Sequence, residues 1–181
     1  MIPILDWTLE TIRREESSFS WLEECRYEWV PIVQRAIKKL LDGHTILILT
    51  DEERAWYAKY IADRINFPRG ERPFLPIYTL KSMFPHLNRL TTAQELELLE
   101  DMLDISYPNG YFIWYIGSAD SIYTKFVFRS DGNLLWIIDG DVPNSFYLKS
   151  GGISLDIKLI QLFKIFNKTI DASLFNELDL E

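Results

Sequence analysis

Carboxylates standing at the ends of apolar runs are the residues of this chain best placed for chemistry. The run ILILT, residues 46–50, passes directly into Asp51, Glu52 and Glu53, and LLWII, 134–138, passes into Asp139, Gly140 and Asp141. Ligands of open α/β sheets sit beyond the carboxyl ends of the strands. Gathered on one such edge, Asp51, Glu52, Asp139 and Asp141 would form the oxygen-rich seat that Mg²⁺ takes in phosphoryl transfer. A Mg²⁺-dependent phosphotransfer or sugar-phosphate enzyme of that kind would use Asp51, Asp139 and Asp141. Two features weigh against it. No lysine or threonine follows at a strand end as a phosphoryl partner, and Asp-Gly-Asp ahead of Pro143 is ordinary turn chemistry.

The first acidic group also bears on anion binding. A helix that opens at Asp51 points its N–H groups where α/β proteins hold phosphate. A phosphate there would meet three carboxylates, whose repulsion outweighs the dipole's roughly half a unit charge. Anion binding at that junction is therefore excluded, and Asp51, Glu52 and Glu53 become candidates for contact with a basic protein surface. A second junction, Gly117-Ser118-Ala119-Asp120-Ser121, offers backbone N–H groups and hydroxyls to an anion. It matches neither G-x-G-x-x-G nor G-x-x-x-x-G-K-[ST], and a turn with an N-cap accounts for it equally well. Nucleophilic catalysis has less to work with: His44 and His86 lack a Ser or Cys partner, no G-x-S-x-G elbow occurs, and Cys25 lies in a helical stretch without a base. One cysteine and two distant histidines give neither a zinc-ligand spacing nor an intrachain disulfide. No metal or cofactor is expected.

Positioning such groups takes a sheet with both faces covered, and the pattern predicts one. HTILILT, FLPIYTL, YFIWYIG, LLWIID and SFYL are apolar enough for strands, most of them without the alternation of a half-exposed sheet. Between them lie helices: 51–66 with Tyr57, Ile61 and Ile65 inward, a short turn at 81–84, TTAQELELLEDML capped by Thr91 or Thr92 with Leu96, Leu99 and Leu103 inward, and SADSIYTKFVFRS. FPRGERP is a loop. Ahead of the sheet come two helices within 4–42. Leu5, Leu9 and Ile12 share a face of the first, which ends around Glu16. The second runs from Ser18 to Leu41 with Trp29, Val33, Ile37, Leu40 and Leu41 inward and Pro31 in a first turn or a kink. Two helices, about 153–167 and 170–178, close the chain. Strands alternating with helices mean parallel pairing, so the fold class is α/β: a doubly wound, mainly parallel sheet flanked by helices, with extra N-terminal helices.

With 181 residues and no internal repeat or linker, one continuous domain spanning 1–181 is expected. The net charge of -8, from 27 acidic against 19 basic residues, repels nucleic-acid phosphates and disfavours direct DNA or RNA binding. No apolar run reaches the ~20 residues a bilayer requires. The start, MIPILDWTLETIRREE, has no basic leader, so residence in the cytoplasm is expected.

Aromatic surface is in excess, at 14% of residues with six tryptophans, more than one helix against one sheet can bury. In SFSWLEECRYEWVPIV, Phe19, Trp21, Tyr27 and Trp29 occupy more than one helical face, and Trp and Tyr anchor protein interfaces. These four are candidates for an oligomer interface. ISLDIKLIQLFKIF carries Leu155, Leu159, Leu162 and Phe166 on one stripe and Ile153, Ile157 and Ile160 on another, as burial within the subunit and against a second one requires.

The segments WLEECRYEWVPIV, DEERAWYAKYI, RPFLPIY, EDMLDISYPNGYFIWYIG, LLWIID, NSFYL and LDIKLIQLF, in this order over nearly the whole chain, resemble the HobA family of replication-initiation regulators. None of them is a catalytic signature. The resemblance implies a sugar-isomerase-like (SIS) α/β fold, a homotetramer and no enzyme activity. It also implies binding to the N-terminal domain of the initiator DnaA, so that several initiators are gathered at the chromosomal origin.

Overall fold

A computed structural model of the chain describes residues 1–68, 72–151 and 154–180. In chain order its elements are β1 (Ile2–Pro3), α1 (Ile4–Arg14), α2 (Trp21–Leu41), β2 (Thr45–Thr50), α3 (Ala55–Ile65), β3 (Ile77–Thr79) and α4 (Leu80–Met83). There follow α5 (Ala93–Ser106), β4 (Tyr111–Ser118), α6 (Thr124–Val127), β5 (Leu134–Ile138), β6 (Ser145–Leu148), α7 (Leu155–Leu174) and β7 (Leu178–Asp179). The backbone packs as two compact units, Asp42–Leu148 and Met1–Leu41 with Lys149–Glu181.

The first unit is the sheet. Its five strands are all parallel, in the order β3-β2-β4-β5-β6. β2 is laid down first, β3 on one side of it and β4 on the other, so the direction of winding reverses between β2 and β4. β2 and β5 are buried at every position, as a sheet covered on both faces demands. Leu47 and Leu49, Ile113 and Tyr115, and Leu135 and Ile137 share one face, where they pack with Leu80, Leu96, Leu99, Leu103, Phe126 and Val127. α3 packs on β2 and β3. α5 starts at a capping box in which Thr92 and Glu95 satisfy each other's backbone N–H groups. The segment predicted as a helix over SADSIYTKFVFRS is instead mostly turn, with one helical turn at Thr124–Val127. Asn133 explains the stop: its buried amide accepts from Ile113 N at 2.8 Å and donates to Val127 O at 2.7 Å, tying the chain down where a longer helix would carry it off.

The second unit is helical. α1 packs on α2 and α7, and α2 packs on α7. β1 pairs in parallel with β7, a small ribbon that the sequence pattern did not announce. The stripe on α1 is Ile4, Thr8, Thr11 and Ile12, with Leu5 and Leu9 only half-buried, and Thr8 can be inside because its hydroxyl donates to Ile4 O at 2.7 Å. α2 begins after a 3₁₀ turn at Ser17–Phe19 and runs through Pro31, which lies in the helix interior and not in a first turn. Pro31 and Tyr27 are both exposed, so the Tyr27 carbonyl that Pro31 cannot serve lies on the solvated side. Leu41 is exposed as well, at the helix end before Gly43. The two predicted closing helices are a single one, α7, continuous through 168–169, where Thr169 and Ser173 satisfy their buried hydroxyls on the carbonyls four residues back. Its predicted start at Ile153, and part of the FPRGERP loop, lie outside the described residues.

Candidate functional site

The reversal of winding between β2 and β4 is the place where a parallel sheet opens a crevice for a ligand. Thr50-Asp51 end β2 there and Gly117-Ser118 end β4, with Thr50 registered against Ile116. The junction from which an anion was excluded and the one that offered N–H groups to an anion meet and satisfy each other. Ser118 N donates to Asp51 Oδ2 at 2.8 Å, Arg54 N donates to Asp51 Oδ1 at 3.1 Å, and the Arg54 guanidinium hydrogen-bonds Oδ2. Asp51 and Arg54 are 7% and 8% exposed. Gly117 makes this approach possible: a Cβ there would stand 2.8 Å from Asp51 Oδ2 and 2.6 Å from the Tyr115 hydroxyl. The crevice therefore holds an anion that belongs to the chain itself, received by a backbone N–H and a guanidinium as a bound anion would be.

This corrects the electrostatic reasoning from sequence. The three acids do not act together against a phosphate. Asp51 is the N-cap and is neutralised by Arg54, while Thr50 is buried and its hydroxyl has no partner among the described residues. Glu52 is held by the Tyr123 hydroxyl and by Lys81 at 3.0 Å, and these two hydrogen bonds, Tyr123 first, keep its carboxyl below the usual carboxylate range. Burial and the neighbouring Glu52 in turn push the Tyr123 hydroxyl up. Lys81 lies 4.4 Å over the Tyr123 ring. Only Glu53 projects freely, its side chain 82% exposed, with one contact to Arg54 at 3.2 Å. Arg54, three residues after Asp51, was legible as its partner; Lys81 comes from α4 and Tyr123 from the turn before α6, and neither carried a local signal.

Beside Thr50, a cleft of about 330 Å³ opens between α3 and the β3–α4 corner. The Thr79 and Ser82 hydroxyls bond each other on one wall and Ala55, Ala58 and Ala62 form the other. Lys59 and Asp63 pair at 3.2 Å on its α3 side. Asp139 and Asp141 are exposed, Asp139 in a left-handed turn at φ 53°. Among the described residues no three His, Cys, Asp or Glu side chains converge as a metal site requires.

The aromatic candidates divide by burial. Trp29 is fully buried and Phe19 nearly so, which places both in the core of the subunit. Trp21 is half-buried, donating to Gln161 Oε1 at 2.7 Å with Lys158 4.9 Å over its ring. Tyr27 is 60% exposed. On α7, Leu155, Leu159, Leu162 and Phe166 are buried, whereas Ile157 and Ile160 face solvent. No helix among the described residues is long and apolar enough to cross a membrane.

The family profile described as HobA, DNA replication regulator, matches residues 1–180. The chain belongs to the HobA family. It is 27% identical over 184 residues to the DNA replication regulator protein HobA of Helicobacter pylori, with 97% of each chain covered. Its fold superposes on the H. pylori HobA in a crystal structure of a HobA-DnaA (domain I-II) complex, with a TM-score of 0.76, 25% identity and 99% of each chain covered. The fold of H. pylori HobA crystallised on its own matches with the same TM-score and coverage at 24% identity.

Proposed function

We propose that this member of the HobA family is a non-enzymatic scaffold that binds the N-terminal domain of DnaA and promotes assembly of the initiator at the chromosomal origin. The observation that carries the reading is the match, over 99% of both chains, to a relative crystallised with DnaA domain I-II. The crevice between β2 and β4 agrees with it. A carboxylate fixed in the seat of a ligand leaves the fold free to work by holding proteins together. As a cytoplasmic homotetramer the scaffold would present several DnaA sites at once and raise the effective concentration of the initiator. Tyr27, the open edge of Trp21 and Ile157 and Ile160 offer an apolar surface for self-association, and Glu53 with the outer edge of Glu52 offers an acidic surface to a basic partner. Calorimetric titration with DnaA domain I-II, together with light scattering, tests this: the expected result is a stable oligomer that takes up one DnaA domain per subunit. A monomer at micromolar concentration, or no heat of binding, refutes it.

The cleft beside Thr50 favours a second reading, the binding of a small molecule such as a sugar phosphate. A ligand at a hundred times its Kd stabilises by ~2.7 kcal/mol. Melting temperatures unchanged by sugar phosphates would discard it.

A further inference from the structure

We infer that the cleft beside Thr50 selects an uncharged polyhydroxy compound of monosaccharide size, an inference that rests on the small-molecule reading of that cleft. Its inner wall is one face of the sheet. Leu47 and Leu49 pack on the opposite face with α5, which leaves Ile48 and Thr50 on the side that α3 covers, and Thr79 is the partner of Ile48 in register. α3 fills the core with Tyr57, Ile61 and Ile65, yet toward the carboxyl ends of β2 and β3 it presents only Ala55, Ala58 and Ala62. Methyl groups in place of larger side chains leave about 330 Å³ open there. Ligand pockets begin near that size, at ~300 Å³.

Hydroxyls decide what fits. Thr50 lines the cleft at 1% exposure, and its buried hydroxyl has no partner among the described residues. Buried polar groups in native proteins are almost always hydrogen-bonded. A ligand oxygen seated against Thr50 supplies the bond that the chain withholds. Thr79 and Ser82 bond each other, which uses one hydroxyl proton of the pair and leaves the other for a ligand. β2, β3 and α4 thus each bring a hydroxyl, a group that both donates and accepts, as the hydroxyls of a sugar do. Charge around the cleft is already spent. Lys59 pairs with Asp63 at 3.2 Å and Lys81 with Glu52 at 3.0 Å. A phosphate would have to draw a lysine from its carboxylate and then lie beside that carboxylate, so the site discriminates against the anion and in favour of the neutral polyol.

The test uses the full chain and two sets of probes: D-ribose, D-glucose and D-fructose, and the terminal phosphates of the same sugars, each titrated by saturation-transfer NMR and by melting temperature. At least one free sugar should bind saturably, and its phosphate at least threefold more weakly. Thr50→Val keeps the shape of the side chain and removes a hydroxyl that bonds nothing in the chain, so it should weaken sugar binding at least threefold without lowering the melting temperature of the free protein. Ala58→Leu fills the cleft and should abolish binding. A phosphate less than threefold weaker than its sugar overturns the inference and leaves the small-molecule reading standing. Sugar binding by Thr50→Val within threefold of wild type overturns the placement against Thr50. Failure of both probe sets to bind overturns the inference and the small-molecule reading together.

Discussion

Asp51→Ala tests the idea that the crevice between β2 and β4 is occupied by the chain's own anion. The substitution removes the N-cap, worth ~1 kcal/mol, and leaves the Ser118 N–H and the buried Arg54 guanidinium without their acceptor. Breaking a buried ion pair from one side costs ~3–5 kcal/mol. Glu53, 3.2 Å from the same guanidinium at an exposed position, recovers part of that. These terms overlap, so a net loss of about 3 kcal/mol is expected, at the lower end of that range. With a urea slope of about 2 kcal/mol per molar, the unfolding midpoint should fall by about 1.5 M. The vacated space is then an anion receptor of carboxylate size. Formate at ten times its Kd should return about 1.4 kcal/mol, or about 0.7 M in midpoint, to the variant. Matched sodium chloride should return none, and the wild type should respond to neither salt specifically. Asp51→Ala with Arg54→Met should be more stable than Asp51→Ala alone, because no unpaired charge remains buried. A midpoint within about 0.3 M of wild type, or formate acting equally on both proteins, would refute the reasoning.

Trp29→Ala, at a fully buried position, should cost ~3–5 kcal/mol in chemical denaturation, whereas Tyr27→Ala, 60% exposed, should stay within ~0.5 kcal/mol and lower the oligomeric mass seen by light scattering. Burial pushes the Glu15 carboxyl up, but its bonds to Lys164 and Lys168 outweigh that and leave it below the usual carboxylate range. The stability this gives is complete above the unfolded value near 4.5 and lost as pH falls through the lower folded value. Glu15→Gln should accordingly flatten the loss of melting temperature between about pH 5 and pH 3. Glu53→Lys should slow association with a basic face of DnaA domain I-II in stopped-flow measurements and leave thermal stability nearly unchanged; unaltered kinetics would remove Glu53 from the docking surface.

The parallel α/β architecture was legible in the chain because continuous apolar runs and intervening helical periods are local properties. ILILT, YFIWYIG and LLWII need no neighbour to be recognised as strands with both faces covered, and Thr92 with Glu95 announces the start of α5 by spacing alone. Pattern also picked out the acids after β2 and the glycine near the end of β4 as the places that mattered. What each of them does was settled only by the order of the strands. β2 and β4 are separated by 60 residues of sequence, and nothing local says that they pair, yet their pairing delivers Ser118 N to Asp51 and turns three apparent free carboxylates into one buried ion pair, one bridged glutamate and one exposed side chain. The aromatic residues of α2 divide for the same reason: composition supplies the tryptophans, but whether an indole is core or surface depends on which elements fold over it. Residue type and spacing therefore determine what the strands and helices are. Burial and charge pairing are sums over neighbours distant in sequence, and these only the folded chain decides.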